Sequence, residues 1–513
     1  MSVIKLDGNT LSTAEILLVS NGAKVEIAAD SIIKIDAARK VVQEILDSGE
    51  TVYGINTGFG SLVSKSISPE DLAKLQLNLI RSHACAVGEP MSIPETRAMM
   101  CVRANSLIKG NSGINRIVIE QIISFLNNEI TPVVPRIGSL GASGDLAPLS
   151  HMALSLIGEG KVWSGLNRIP TNELLKQKGL IPVELGAKDG LSLINGTSQM
   201  CSFMSLAEVA LSNLLPMADL IASVSIDARK CSIKPMDERV HNVRAHNGQK
   251  IVAKRIRLIL DGSEILEGHK DCERVQDAYS FRCIPQVHGA VYEKFSTLRQ
   301  CMSVEINSAT DNPLIFPDTN LSLKDQVISQ GNFHGEILGL TSDNLSHALF
   351  ELASISERRI DQMVDPARSD LPPYLTKNSG LESGMMIVHY TAAALLAELH
   401  GHAMPKSAFS TTTSGGQEDY VSMGSTAAWN LLEATKKLSK LLACELIIAC
   451  EALEYSKCAS SKYVESLKKL VRKICPALNG DRSTSDEIEN VASELYNGGW
   501  LSRIDAECGI LPR

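Results

Sequence analysis

One loop of small residues has the composition to make an electrophile from its own backbone. It runs from Gly138 to His151 and contains the tripeptide Ala142-Ser143-Gly144. Glycine-rich loops are usually turns, and no lysine follows these glycines as a nucleotide-binding loop would require. If the Gly144 nitrogen reaches the Ala142 carbonyl carbon, a ring can close, and loss of water that includes the Ser143 hydroxyl leaves an exocyclic methylidene. Only small residues tolerate that compression, so the tripeptide is a candidate precursor of a methylidene-imidazolone.

Further polar residues have side chains suited to proton transfer or carboxylate binding. Tyr53 lies in a loop punctuated by glycines, and His83 falls on the apolar face of a predicted helix. Taken singly, each has a simpler interpretation, since tyrosines often pack half-buried and helical histidines are often core residues. Asn195 precedes a glycine as in a turn, Glu418 lies in an acidic loop, and an isolated Arg282 would usually be a surface charge.

The string from Gly138 to His151 resembles that of the aromatic amino-acid lyase family, which includes histidine, phenylalanine and tyrosine ammonia-lyases and related aminomutases. Further stretches similar to the family are spread from Tyr53 to Met423, so the resemblance covers most of the chain. It implies an electrophile formed autocatalytically from the tripeptide, with no metal or added organic cofactor. It also implies a homotetramer whose active sites combine residues of more than one subunit.

The resemblance assigns four positions to proton transfer and carboxylate binding. The tyrosine that matches Tyr53 removes the β-proton, and Tyr279 delivers or accepts protons near the amine. Arg282 holds the substrate carboxylate in a bidentate pair, and Gln276 orients it.

The resemblance also indicates the ring of the substrate. Family members that act on histidine carry Ser-His at the position of His83, where phenylalanine lyases typically carry Phe-Leu, and Glu418 matches a residue beside the imidazole. A pocket with these two groups penalises a phenyl ring, because buried polar groups would be left unpaired. By the same resemblance Asn195 hydrogen-bonds the electrophile ring, Phe333 forms an aromatic wall, and Met386 lies near the substrate ring. We therefore expect elimination of ammonia from L-histidine to give trans-urocanate, the first step of histidine degradation.

Two departures from the family pattern keep other functions open. Tyr420 stands where members that act on histidine usually have His, and Gly416 replaces a frequent Asn. The Ser82-His83 pair also occurs in tyrosine aminomutases. Those enzymes, however, usually carry Gln-Asp where this chain has Gln417-Glu418. The alternatives are a tyrosine or phenylalanine ammonia-lyase or 2,3-aminomutase, and an inactive helical scaffold that kept the fold.

The composition narrows the partners and the compartment. The chain has 513 residues with 50 basic and 58 acidic side chains, a net charge of −8 that disfavours nucleic acid as a partner. Its 12 cysteines form no Cys-x-x-Cys pair, and the first residues lack the order of a signal peptide. The apolar stretch 441–452 contains Glu445 and Glu451 and is too short to cross a bilayer. These features predict a cytoplasmic enzyme without a membrane span, with a buried helix at 441–452.

The elements that position these residues are predicted to be mainly α-helical. Short alternating bursts in the first thirty residues predict small strands, and strand signals nearly vanish after about Gly110. We therefore expect a small mixed N-terminal domain at 1–110 with Tyr53 and His83, and a long-helix bundle at 111–513 with the tripeptide. The family resemblance implies that this bundle is of the aromatic amino-acid lyase type. The predicted helices are 31–47, 68–85, 199–228, 334–363, 384–400 and 424–455.

Overall fold

Helices dominate the chain in a computed structural model, which describes residues 3–52, 54–57, 71–269 and 275–513. The helices of the described residues are numbered α1 to α20 in chain order: Thr13–Ser20, Ala29–Ser48, Leu72–His83, Ile93–Ile108, Arg116–Asn127, Leu146–Leu156, Thr171–Lys178, Asp189–Ile194, Ser198–Ala228, Glu238–Asn242, Asn247–Leu260, Glu264–Glu267, Tyr279–Arg282, Ile284–Glu305, Glu336–Val364, Met386–Ala403, Gly424–Leu453, Lys462–Arg472, Ser485–Asn497 and Gly499–Cys508. The mainly α fold class is confirmed.

The strands are short and form two-stranded sheets in the described part of the chain. In chain order β1 to β8 are Ile4–Leu6, Val25–Ile27, Val87–Pro90, Pro135–Ile137, Lys161–Ser164, Asn167–Pro170, Leu314–Ile315 and Val327–Ile328. β1 and β2 pair in parallel, as the N-terminal bursts suggested, and the other three pairs are antiparallel. The expectation that strands nearly vanish after Gly110 missed β4 to β8, because strands of two to four residues are too short for a readable alternation.

The predicted helices are confirmed where the structure describes them, with ends displaced by a few residues. Apolar side chains of α2 are buried in a small core around Ala38, Val41 and Ile45. The predicted start of α3 at 68–70 lies outside the described residues. The stretch 441–452 lies within α17 and is buried as predicted; its Glu445 pairs with Arg359.

One helix among the described residues, α9, is long and apolar enough to cross a membrane by length and composition alone. In its most apolar window 83% of the residues are buried within the structure. A core helix passes the same test, because an interior helix is apolar on every side.

The chain separates into two compact units. Unit 1 consists of Met1–Leu206, Arg299–Asp343 and Lys406–Trp429, and unit 2 of Ala207–Leu298, Asn344–Pro405 and Asn430–Arg513. The predicted domain boundary near Gly110 lies inside the first segment of unit 1 and stays a prediction. In unit 1, α4 is buried along nearly its whole length and packs against α1, α2 and α5.

Candidate active site

The tripeptide lies in unit 1, in the loop between β4 and α6. Gly141 and Gly144 have φ angles of +65° and +69°, a backbone conformation that glycine adopts without strain. A Cβ atom at Gly144 would lie 2.5 Å from both the nitrogen and the carbonyl carbon of Gly196. Any side chain at Gly144 would therefore collide with backbone, and the sequence has glycine where the close approach demands it.

A turn between α8 and α9 holds the tripeptide by its backbone. The turn, Asn195-Gly196-Thr197, is named the Asn-Gly turn below. The Asp145 backbone N–H donates to the Gly196 carbonyl at 2.7 Å, and the Asn195 Nδ2 donates to the Ser143 carbonyl at 2.8 Å. Asn195 is buried, and its Oδ1 has no hydrogen-bond partner among the described residues.

The Ser143 side chain points toward Glu418. Its hydroxyl donates to the Glu418 Oε1 at 2.7 Å, and the Thr413 hydroxyl donates to Oε2 at 3.0 Å. The Thr413 backbone N–H also donates to the Glu418 carbonyl at 2.9 Å. The loop that carries Glu418 thus fixes its carboxylate, which faces the serine of the tripeptide.

Asp145 anchors the other end of the tripeptide to the N-terminus of α9. Its carboxylate accepts hydrogen bonds from the Ser139 hydroxyl and the Gln199 N–H, both at 2.7 Å, and from the Met200 N–H at 3.1 Å. Burial raises the pKa of Asp145 to about 6, although these three hydrogen bonds pull it down. We did not predict this role from sequence, where Asp145 reads only as an acid before a helix.

The loop before the tripeptide is fixed by two other segments of unit 1. The Gly141 carbonyl accepts from the Gly335 N–H at 3.0 Å and from the Ser422 hydroxyl at 2.9 Å. The Leu140 carbonyl accepts from the Met423 N–H at 2.8 Å. With the Asn-Gly turn, these bonds leave the tripeptide little freedom.

His83 is the last residue of α3, which packs against α6 and α8 in unit 1. Its Nδ1 lies 2.8 Å from the Leu79 carbonyl and 3.0 Å from the Ser82 hydroxyl. A carbonyl can only accept, so Nδ1 carries a hydrogen in this contact. The side chain is half-buried, and both of these contacts lie within its own helix.

Phe333 is half-buried in the loop before α15. Its neighbour His334 stacks on Tyr420, with ring centroids 6.0 Å apart and an interplanar angle of 16°. Tyr420, which departs from the family pattern, is 60% exposed. Gly416 has a φ of +91° and open space around its missing side chain.

Unit 2 carries the predicted residues Gln276, Tyr279, Arg282 and Met386, of which the first three form a group. The Arg282 Nη1 donates to the Gln276 Oε1 at 2.8 Å, and the guanidinium carbon lies 5.5 Å from the centre of the Tyr279 ring. Tyr279 is 74% exposed, and Arg282 is half-buried. Met386 is the half-buried first residue of α16.

The structure therefore brings together Ser143, Asn195 and Glu418 within unit 1. Within unit 2 it brings together Gln276, Tyr279 and Arg282. Tyr53 lies outside the described residues, and its role stays a prediction. Besides Asp145, Arg103 on α4 was not predicted from the sequence, although it is fully buried. The only feature of the sequence that could have indicated a buried Arg103 is its mostly apolar neighbours.

Comparisons with known proteins identify the family of the chain. The model of the aromatic amino acid lyase family matches residues 11–473. A histidine ammonia-lyase of Myxococcus xanthus is 44% identical over 503 residues, which cover 98% of each chain. The crystal structure of histidine ammonia-lyase from Trypanosoma cruzi has a TM-score of 0.91 at 37% identity, covering 99% of this chain and 96% of that one. Tyrosine aminomutase from Streptomyces globisporus has a TM-score of 0.94 at 34% identity, with both chains fully covered.

The family match extends over most of the chain, and the relatives correspond to it from end to end. This chain has the fold of the similar lyase structures. It contains the tripeptide loop, the Asn-Gly turn and the fixed Glu418 carboxylate. This chain is a carbon–nitrogen lyase that belongs to the aromatic amino acid lyase family.

Proposed function

We propose that this enzyme eliminates ammonia from L-histidine to give trans-urocanate. The observation that carries the proposal is the placement of Ser143, whose carbonyl is bound by Asn195 and whose hydroxyl is bound to Glu418. Relatives named histidine ammonia-lyase, similar over nearly the whole chain, support histidine as the substrate.

We further propose that the tripeptide forms a methylidene-imidazolone. Ring closure joins the Gly144 nitrogen to the Ala142 carbonyl carbon, and the first water takes the Ala142 carbonyl oxygen with the amide hydrogens of Ser143 and Gly144. A second water takes the Ser143 hydroxyl with the hydrogen on its Cα atom. The residues around the tripeptide fit a methylidene-imidazolone. Gly144 contacts the Gly196 backbone, and the Asn195 Oδ1 is buried without a partner among the described residues. Once formed, the ring offers an electrophilic carbon to the amine of the substrate.

The predicted site residues would bind and orient the amino acid. Arg282 has guanidinium donors beyond the one bound to Gln276, and these suit a carboxylate. His83 and Glu418 offer a ring nitrogen and a carboxylate to the imidazole. Tyr53 would take the β-proton and Tyr279 would move a proton at the amine.

Three further positions would shape the pocket. Asn195 holds the Ser143 carbonyl, and Phe333 and Met386 would line the space for the substrate ring. Holding the reacting groups in this way lowers the barrier by reducing the entropy lost in the reaction step.

The substrate test is incubation of the purified protein with L-histidine, L-phenylalanine and L-tyrosine, followed by product identification by chromatography and mass. Urocanate from histidine alone is the expected result. Cinnamate, coumarate or a β-amino acid would instead favour the second candidate, a lyase or aminomutase for the other aromatic amino acids, which the similarity to tyrosine aminomutase makes the leading alternative. The Ser143→Ala variant lacks the hydroxyl lost in the second dehydration and serves as the inactive control.

We also propose a homotetramer in the cytoplasm. Exposed apolar residues on α16 support association between subunits: Ile387 is 57% exposed and Tyr390 is 63% exposed, close to Met386. Light scattering after size-exclusion chromatography tests the tetramer, and cell fractionation tests the compartment.

A further inference from the structure

Helix α4 carries two buried arginines whose partners differ. Arg97 donates to the carbonyls of Val19 at 3.0 Å and Leu126 at 3.1 Å, which belong to the last turns of α1 and α5. Arg103, six residues further along α4, is fully buried and donates through Nη2 to the Ser192 carbonyl. Arg97 thus joins helix ends, whereas Arg103 binds α8 three residues before the Asn-Gly turn.

Arg103 also contacts the turn itself. A Cβ atom on Gly196 would overlap the Arg103 Nη1 and would lie 2.7 Å from the Thr310 hydroxyl. Through its own backbone atoms, Gly196 contacts Gly144. The Arg103 guanidinium is therefore one residue removed from the tripeptide.

The guanidinium is held in the interior with donors to spare. The Arg103 Nε and Nη1 have no hydrogen-bond partner among the described residues. Burial lowers the pKa of Arg103 to about 10, and the nearby Asp311 and Asp145 oppose this shift, so the group stays cationic at neutral pH.

We propose that Arg103 is a positioning residue for closure of the tripeptide ring. By binding the Ser192 carbonyl and packing on Gly196, it holds the Asn-Gly turn against the tripeptide. Asn195 then keeps its bond to the Ser143 carbonyl, and Gly196 keeps its bond to the Asp145 N–H. The inference rests on the proposed methylidene-imidazolone and adds a residue that acts through the turn without touching the substrate.

The test measures ring closure directly, by the mass of the peptide that spans the tripeptide. The Arg103→Gln and Arg103→Lys variants are compared with Arg97→Gln and Arg97→Lys, the matched controls on the same helix, and the thermal unfolding of each is recorded. In Arg103→Gln we expect most folded chains to lose the two-water mass deficit, while Arg97→Gln keeps it whatever its stability. Arg103→Lys keeps the charge and reaches a carbonyl, and should close more completely than Arg103→Gln but several-fold more slowly than Arg97→Lys.

The outcomes separate this inference from the proposed function. A wild-type chain without the mass deficit overturns the proposed ring, and the role of Arg103 with it. The second outcome requires that the wild-type chain shows the mass deficit. If Arg103→Gln then shows it to the same extent and at the same rate as Arg97→Gln, the role of Arg103 alone is overturned. If Arg103→Gln yields no folded protein, the closure rates of the two lysine variants decide, and equal rates overturn the proposal.

Discussion

The Ser143 hydroxyl donates a 2.7 Å hydrogen bond to the Oε1 atom of Glu418. In the proposed chemistry this hydroxyl leaves as water, so Oε1 loses its partner, while Thr413 still holds Oε2. The same carboxylate oxygen that orients the serine before ring closure is then free to accept a hydrogen bond from an imidazole N–H. In the proposed function, Glu418 would thus bind Ser143 in the unmodified chain and the substrate after ring closure.

Glu418→Gln should therefore impair the use of histidine. A neutral amide replaces a charge-assisted bond of about 1.5–3 kcal/mol, so we expect kcat/KM for L-histidine to fall roughly 10- to 100-fold. Steady-state urocanate formation measures the change. Asp419→Asn, an exposed neighbour on the same loop, is the control and should change kcat/KM little. Equal losses of kcat/KM in the two variants would show that Glu418 does not bind the substrate.

Gly144→Ala should prevent ring closure. The new Cβ would meet the Gly196 backbone, and neither segment can yield without losing the bond between the Asp145 N–H and the Gly196 carbonyl. Gly179→Ala is the matched control, since Gly179 has a φ of +67° against +69° for Gly144 but open space around it. We expect Gly179→Ala to destabilise by about 1 kcal/mol, the usual cost of an alanine in the left-handed region. Peptide mass distinguishes them: a full two-water deficit in Gly144→Ala would contradict the steric argument.

The fold and part of the site could be predicted from the sequence, for different reasons. The long helices follow from apolar periodicity over many turns, which local chemistry dictates. The tripeptide, Asn195 and Glu418 were found through the family resemblance, and the structure adds the hydrogen bonds that join them. Asp145 and Arg103 depend on contacts between segments distant in sequence, at Gln199 and Ser192, and no local pattern reveals such contacts.

Asp145 should make stability depend on pH in a definite direction. The pKa of this carboxyl is about 6 in the folded protein against an ordinary value of 3.8, so between these values the folded state binds more protons than the unfolded state. The contribution of Asp145 to the free energy of unfolding therefore falls as the pH rises through this window and stays low above it.

The Asp145→Asn variant has no carboxyl at this position, so it lacks this fall in the free energy of unfolding with rising pH. A difference of about two pH units corresponds to roughly 3 kcal/mol, so the unfolding free energy of the variant, relative to wild type, should rise by about that amount from about pH 4 to about pH 7. Urea unfolding at both pH values measures it. Asp227→Asn should behave alike, because burial also raises the pKa of Asp227 to about 6. A relative stability that is constant or falls with pH would contradict the assignment.

Unit 2 contains a buried ion pair between Arg359 and Glu445. Arg359 donates to both oxygens of Glu445, at 2.5 Å from Nε and 2.9 Å from Nη2, and neither side chain is exposed. Ser225 donates to the same carboxylate at 2.7 Å, and the His288 Nε2 lies 3.3 Å from the Arg359 Nη1.

Glu445→Gln should lower the free energy of unfolding by about 3–5 kcal/mol, because it leaves a buried guanidinium without its counter-charge. Glu44→Gln is the control, because its pair with Lys40 is 3.6 Å long and solvent-exposed, and its loss should amount to about 0.3–0.5 kcal/mol. The double variant Arg359→Met with Glu445→Leu should recover most of the stability, since no unpaired charge remains in the interior. Urea unfolding of the three proteins checks these values. If the double variant is as unstable as Glu445→Gln, the loss arises from packing around α17 and not from the unpaired charge.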